Sequence, residues 1–175
     1  MTLYLVHHGD AVGPDVDPMR PLSARGRSEV ESLAGRAAAH GIKPDVIWHS
    51  GKLRARQTAE LFRRACQPLA TCAAARGLQP DDPPGWAIDL LMEETRRIML
   101  VGHMPHLRRL LRLLVAGTPD ADGPDFPPHG IVELVGEQEK EKEEKKEKEE
   151  LGRVRAKWVE VWRASNIADL AIGES

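Results

Sequence analysis

The sequence has 175 residues, with 25 Lys and Arg against 27 Asp and Glu, so its formal net charge is −2. This length fits one domain with a substantial core, and the charge gives no indication of a nucleic-acid partner. The apolar start is too short for a signal peptide, and no apolar run approaches a membrane span. Cys66 and Cys72 lack metal-type spacing and are interpreted as reduced thiols. We therefore expect a cytoplasmic protein that has no membrane partner.

The first predicted element is the apolar run 3–6, which ends abruptly in His7, His8, Gly9 and Asp10. A continuous apolar run is typical of a buried parallel strand, and α/β sheets bind ligands at the carboxyl ends of such strands. The pattern predicts the histidine pair at the mouth of a site, where Gly9 would let the backbone approach a ligand. Taken alone, these residues fit a strand that ends in a polar turn equally well.

Capping residues and apolar periodicity predict the next three elements. Ser23 is interpreted as the N-cap of a helix that stops at Gly41, and a strand follows over 45–49. A second helix is predicted over 53–65. Arg54 would lie in its first turn, where the helix dipole favours bound anions.

The middle of the chain gives a weaker signal at first. Residues 66–85 are interpreted as a short helix or an irregular loop. A helix is predicted over 86–95, a strand over 97–101 and an amphipathic helix over 107–114. Strands that alternate with helices indicate βαβ units and a parallel sheet.

Near the end, two predicted strands flank a charged segment. The segment, residues 137–150, contains eight Glu, five Lys and one Gln. Its Glu and Lys pairs at i,i+4 favour helix, but it has no apolar face, so we expect a solvated arm. A partner-binding or solubilising projection is the alternative. Residues 130–135 and 154–162 would pair as an antiparallel hairpin at the sheet edge.

Four stretches in a fixed order carry a family resemblance: HHGDA at 7–11, RPLS at 20–23, SGKLRARQT at 50–58 and VGHMP at 101–105. They resemble the histidine phosphatase superfamily, and within it the SixA-type phosphohistidine phosphatases, which carry RHGDA, RPL[ST]xxG, SPxxRAxQT and V[GS]HxP. The resemblance spans roughly residues 1–117. It implies one phosphoglycerate mutase-like domain over 1–175, with the charged segment as an insertion. The fold would be an α/β three-layer sandwich: a mostly parallel central sheet, helices on both faces and an antiparallel edge hairpin.

The same resemblance implies the site residues. His8 matches the histidine that becomes phosphorylated, while Arg54 and His103 match catalytic positions that hold the phosphate. Gly9 and Arg20 are predicted substrate-binding residues, Arg20 as an auxiliary contact at the mouth. The reaction would need no metal or other cofactor.

The sequence departs from the family at His7, where the family has arginine. Arginine stays charged and can grip two phosphate oxygens, whereas histidine offers one donor and titrates near ~6.5. His7 would be a weaker, pH-dependent clamp, or it would point elsewhere. The loss of such a contact costs roughly 3 kcal/mol of transition-state stabilisation. We therefore expect reduced activity.

Larger members of the resembled superfamily carry a glutamate general acid in the middle of the chain, and its absence here indicates the kind of substrate. The stretch 77–82 contains no Glu, and Asp81 and Asp82 are only weak candidates. An imidazole leaves more easily than an alkoxide, so a phosphohistidine substrate needs less proton donation. We therefore expect a phosphatase that acts on a phosphohistidine-bearing protein, such as a phosphotransfer domain. The alternatives are a phosphomonoesterase acting on a small metabolite and a degenerate phosphate- or phosphoprotein-binding domain.

Other polar residues are interpreted as structural. Ser23 is expected to cap its helix rather than bind phosphate, and Asp10 to orient its loop. His49 is expected to be a hydrogen-bonded structural histidine, and His106 and His129 to lie on the surface.

A metal site is the weaker alternative. His7, His8, Asp10 and His103 have the side chains that suit zinc. The neighbouring Arg54 would repel a cation, so the sequence favours a site without metal.

Overall fold

A computed structural model describes residues 1–92, 94–137 and 157–165. In these ranges the chain forms, in order, β1 Thr2–His7, α1 Ala24–His40, β2 Val46–His49, α2 Leu53–Cys66, β3 Thr71–Ala74, α3 Pro84–Leu91, β4 Ile98–Gly102, α4 His106–Ala116, β5 Ile131–Glu137 and β6 Lys157–Ala164.

The six strands form one sheet in the order β3-β2-β4-β1-β5-β6. The first four strands in this order pair in parallel, and β5 and β6 are antiparallel at one edge. Alternate residues of each central strand face opposite sides of the sheet. One side packs against α1 and α2, and the other packs against α3 and α4. The predicted three-layer α/β sandwich with an antiparallel edge hairpin is therefore confirmed.

The region predicted as a short helix or irregular loop contains β3 instead. Residues 71–74 are the sequence Thr-Cys-Ala-Ala, and three of the four are exposed. Their strand conformation comes from parallel pairing with β2 rather than from an apolar pattern. The next helix also begins earlier than predicted, with Pro84 at its first position and Leu91 as its last residue.

The ends of α1 match the prediction and position the loop after β1. Ser23 caps the helix by accepting a hydrogen bond from Gly26 N, and Gly41 ends it in the left-handed conformation. A Cβ at Gly26 would overlap the backbone oxygen of Asp10, so α1 touches this loop where only glycine fits. The Asp10 carboxylate accepts a hydrogen bond from Ser23 Oγ (2.6 Å), which confirms the structural role expected for both side chains.

The connection between the two strands of the edge hairpin lies at the end of the sheet opposite the carboxyl end of β1. Ile131 pairs with Val6, whereas Val135 pairs with Thr2, so β5 leaves the carboxyl end of β1 and runs to its amino end. Glu137 and Lys157 pair where the two strands of the hairpin are connected. The predicted charged arm lies outside the described residues from position 138 onward. Among the described helices, none is long and apolar enough to cross a membrane.

Candidate active site

Polar side chains gather where three neighbouring parallel strands end. His7 is the last residue of β1, Ser50 follows β2 and His103 follows β4. Because these strands are adjacent in the sheet, the structure brings His8 and His103 together, with ring centroids 4.8 Å apart. Arg54 in the first turn of α2 donates from Nε to His8 Nε2 at 3.2 Å. His8, Arg54 and His103 therefore form one cluster at the carboxyl end of the sheet.

The hydrogen bonds of His8 determine its tautomer. Its Nδ1 is 2.7 Å from the Gly9 carbonyl oxygen, which can only accept, so Nδ1 carries the hydrogen. Nε2 then holds the lone pair, and it accepts the N–H of Arg54. Burial lowers the pKa of His8 to about 4, with Arg54, His129 and Arg20 acting in the same direction against the Gly9 carbonyl. His8 is therefore neutral at physiological pH, with a nucleophilic Nε2 beside a guanidinium.

His103 is almost fully buried, with 2% of its surface exposed. Its Nε2 shares a 2.6 Å hydrogen bond with Ser50 Oγ, while its Nδ1 has no partner among the described residues. Burial, followed by the charges of His8 and Arg54, lowers its pKa to about 2. A buried ring nitrogen without a partner is costly. His103 Nδ1 is therefore an unsatisfied polar atom within the described part of the chain, in a ring whose centroid is 4.8 Å from that of His8.

His7 is stacked on a residue that the sequence did not assign to the site. The rings of His7 and His129 are 4.7 Å apart and nearly parallel, at 6°. His129 N donates to His7 Nδ1 (3.0 Å), and His129 Nδ1 donates to the backbone oxygen of His8 (2.6 Å). His129 was expected only to lie on the surface, whereas it is half-buried and contacts both histidines of the pair. It stands 121 residues after His8 in the chain, so no local motif could identify it.

The charge state of His7 differs from the one expected of a protonated clamp. Burial, followed by the neighbouring charges of His8, His129 and Arg54, lowers its pKa to about 3. Because the pKa of His8 is about 4, His7 is already neutral wherever His8 can act as a nucleophile. In this arrangement His7 offers an N–H group rather than a positive charge.

Arg20 lies close enough to affect both reactive groups. Its charge lowers the pKa of His8 and of Arg54, and its Nε donates to the Val12 backbone oxygen (3.2 Å). This bond holds the side chain beside the cluster and leaves its terminal nitrogens for other acceptors. Arg20 has a φ of 50°, and His129 has a φ of 44°. These are the two residues other than glycine with positive φ in the described ranges, and strain of this kind concentrates at functional sites.

Gly9 is in close contact with both α1 and α2. A Cβ at this position would lie 2.5 Å from Val30 Cγ2, and the Gly9 N–H donates to Thr58 Oγ1 (3.1 Å). The missing side chain therefore allows contact with α1, and the N–H is already bound. A direct contact between Gly9 and the substrate stays a prediction. Thr58 also donates to the Arg54 backbone oxygen (2.8 Å), so it ties the His8 loop to α2.

His49 and His106 lie outside the cluster. His49 accepts a hydrogen bond from Gly51 N (3.0 Å), as expected of a structural histidine. His106 is fully buried, and the prediction that it lies on the surface is wrong. It is the first residue of α4, and the sequence pattern gave no signal that this position is buried.

A ring nitrogen from each of His7, His8 and His129 lies within 4.8 Å of the others, which is close enough to suit a metal ion. His8 and His129 each donate Nδ1–H to a backbone oxygen, the arrangement common in metal-binding histidines. His7 does not fit, because its Nδ1 accepts a hydrogen bond and its Nε2 must therefore carry the hydrogen. Arg54 directs its N–H at His8 Nε2. The cluster is better arranged to donate hydrogen bonds to an anion than to ligate a cation.

The sequence match and the fold agree with this arrangement. Residues 3–79 match the model of the histidine phosphatase superfamily (branch 1), a range that contains His7, His8, Arg20 and Arg54 and ends before His103. No curated protein matches the chain. The resemblance noted in the sequence is confirmed over this range, and the match supports a phosphatase.

Solved structures give the fold over nearly the whole chain. The protein histidine phosphatase SixA, solved with tungstate, has a TM-score of 0.74 at 20% identity, covering 95% of this chain and 97% of its own. A putative phosphohistidine phosphatase SixA from Agrobacterium tumefaciens has a TM-score of 0.69 at 22% identity, covering 94% and 97%. Phosphoglycerate mutase from Plasmodium falciparum has a TM-score of 0.64 at 15% identity, covering 99% and 96%. The fold is therefore phosphoglycerate mutase-like.

Proposed function

We propose that this chain is a phosphatase of the histidine phosphatase superfamily that removes phosphate from phosphohistidine in a protein, with His8 as the transient phosphate carrier. The observation that carries this proposal is the state of His8: a neutral ring with Nδ1–H on the Gly9 carbonyl and Nε2 beside Arg54. A nucleophile for phosphoryl transfer needs such a lone pair and a cation for the phosphoryl oxygens.

In the first step, the lone pair of His8 Nε2 attacks phosphorus and forms a new N–P bond. The N–P bond of the substrate breaks, and the departing imidazole keeps that electron pair and takes a proton from solvent. Arg54 turns its N–H groups from His8 Nε2 to the phosphoryl oxygens, which a planar guanidinium can bind two at a time. The Nδ1–H of His8 stays on the Gly9 carbonyl, which stabilises the positive charge that develops on the ring.

In the second step, water attacks phosphorus and the bond to His8 Nε2 breaks. Inorganic phosphate leaves, and His8 recovers its lone pair. His103 binds a phosphoryl oxygen in both steps, and this role is supported by its ring, whose centroid is 4.8 Å from that of His8. Arg20 adds a second positive charge at this position.

The absence of an acid supports phosphohistidine over an ester as substrate. Within the described part of the chain, no carboxylate forms a hydrogen bond with His8, Arg54 or His103, and Asp82 accepts Gln79 N instead. An alkoxide leaving group would need a proton donor, whereas an imidazole is a weak enough base to leave with less help. The fold similarity to two SixA proteins points in the same direction. The partner would be a protein that carries phosphohistidine, and a small phosphorylated metabolite is the second candidate.

The experiment uses purified protein with EDTA and compares phosphate release from a phosphohistidine protein, from phosphoramidate and from p-nitrophenyl phosphate. We expect release from the first two and formation of an acid-labile, alkali-stable phosphoenzyme. His8→Ala should abolish both, and Arg54→Ala should reduce turnover by about 100-fold or more. Arg64→Ala is the matched control, because Arg64 lies on the same helix, is exposed and stands ten residues after Arg54.

Each alternative gives a different result. Preference for the phosphomonoester would support the metabolite phosphatase, and activity that EDTA abolishes would support metal catalysis. If the missing arginine limits the rate, His7→Arg should raise turnover. Phosphate binding without turnover in either the wild type or His7→Arg would replace the enzyme with a phosphate-binding domain.

A further inference from the structure

His129 has a backbone conformation that residues other than glycine adopt rarely. Its φ is 44°, in the left-handed region. In this conformation two of its polar groups contact the histidine pair: the backbone N–H donates to His7 Nδ1 and the ring Nδ1 donates to His8 O. Strain that persists at one residue must be offset by its surroundings, and here those surroundings are the site.

The bond from His129 determines which nitrogen of His7 carries the hydrogen. A backbone N–H can only donate, so His7 Nδ1 must hold a lone pair, and the hydrogen of the neutral ring must be on Nε2. The stacked His129 ring restricts rotation of the His7 ring. The orientation and the tautomer of His7 are therefore both determined by the same neighbour.

We propose that His7 is a neutral donor to the phosphoryl group through Nε2–H, and that His129 is the positioning residue that fixes its tautomer and orientation. The proposal deepens the function above and rests on it for the identity of the bound group. His7 and His129 together take the place of the arginine that the histidine phosphatase superfamily has at the position matching His7. They provide one oriented N–H without the cost of burying another charge beside Arg54 and Arg20.

Two substitutions at His7 test whether phosphate binding depends on its N–H donor or on its stacked ring. In His7→Gln, the amide nitrogen can reach the position of Nε2 and remains neutral. In His7→Phe, the ring can still stack on His129, but it has no donor. We expect the dissociation constant of inorganic phosphate, measured by calorimetry at pH 7, to change less than threefold in His7→Gln and to increase about tenfold or more in His7→Phe.

Nuclear magnetic resonance of the imidazole nitrogens tests the tautomer directly. Between pH 5.5 and 8, His7 should show a protonated Nε2 and an unprotonated Nδ1, with no titration. His129→Gly keeps the backbone N–H and suits a positive φ, so it should retain this tautomer, but it removes the stacked ring that orients His7 and should therefore weaken phosphate binding. His129→Val disfavours the left-handed conformation, and it should weaken phosphate binding and release the fixed tautomer.

Several outcomes would overturn the proposal. These are equal phosphate affinity in His7→Gln and His7→Phe, a doubly protonated His7 at pH 7, an Nδ1–H tautomer, or an unchanged His7 in His129→Val. Zinc binding that competes with phosphate and requires His7 would also overturn it, in favour of a metal site. Wild-type protein that binds phosphate through His7 but releases none from phosphohistidine would refute only the proposed function.

Discussion

The histidines of the cluster are buried in a way that links stability to pH. Burial lowers the pKa of His7 to about 3, of His8 to about 4 and of His103 to about 2, in each case with help from neighbouring positive groups. In the unfolded chain each histidine would titrate near ~6.5. As the pH falls below that value, the unfolded chain binds protons at these histidines while the folded chain does not. The free energy of unfolding therefore decreases.

The free energy of unfolding should therefore fall as the pH is lowered from about 6.5 to about 4. Each histidine contributes up to about 1.4 kcal/mol per pH unit in this window. Urea unfolding at pH 7, 6, 5 and 4.5 should show a falling midpoint, and the slope should be smaller in His7→Phe, which removes one titrating group. Carboxylates such as Asp45, whose pKa is about 2, affect a lower pH range. A midpoint that stays constant from pH 7 to 4.5 would contradict the predicted burial.

At the residue scale, the motifs led to His8, Arg54 and His103 because each stands directly after a strand or at a helix start. His129 could not be found in this way. It reaches the site because β5 begins next to the carboxyl end of β1, a pairing between residues more than 120 positions apart. The neutral state of His7 could not be predicted from the sequence either, because it depends on burial and on the neighbours His8, His129 and Arg54.

At the element scale, the approach of α1 to the loop after β1 depends on Gly26. Gly26→Ala would place a Cβ against the Asp10 backbone oxygen, which cannot move without displacing the loop that carries His8. We expect a loss of about 1–3 kcal/mol in urea unfolding and reduced phosphate release. Gly35→Ala is the matched control on the same helix, since nothing lies within 4 Å of its Cβ, and it should stabilise by about 0.5–1 kcal/mol. Equal effects of the two substitutions would show that the close contact is not limiting.

Helix boundaries were easier to predict than the edge strand. Ser23 and Gly41 are local signals, since a cap depends on the residues of one turn. Residues 71–74 carry no such signal, because an exposed edge strand of Ala, Cys and Thr has no apolar alternation. Its conformation is determined by pairing with β2, and this information lies elsewhere in the chain.

At the scale of the whole molecule, the sheet separates the site from the hairpin connection. The site lies at the carboxyl ends of β1, β2 and β4, whereas Glu137 and Lys157 stand at the other end of the sheet. β1 spans about 17 Å at ~3.3 Å per residue, so a substitution between these two residues acts far from His8. Alternating strands and helices were enough to predict the layers. The end of the sheet at which the charged segment begins was not predictable in this way, because it depends on the antiparallel register of β5 with β1.

This topology leads to the last prediction, which concerns the charged segment. Replacing residues 138–150 with a short Gly-Ser turn should leave phosphate release within about twofold and the melting temperature nearly unchanged, because the segment starts at the end of the sheet opposite His8. The matched control replaces the same residues with a Gly-Ser segment of equal length, which separates the effect of charge from that of loop closure. A large fall in melting temperature in both variants would show that the segment contributes to folding. A loss of activity on a phosphohistidine protein alone, with phosphoramidate hydrolysis unchanged, would instead assign it to partner binding.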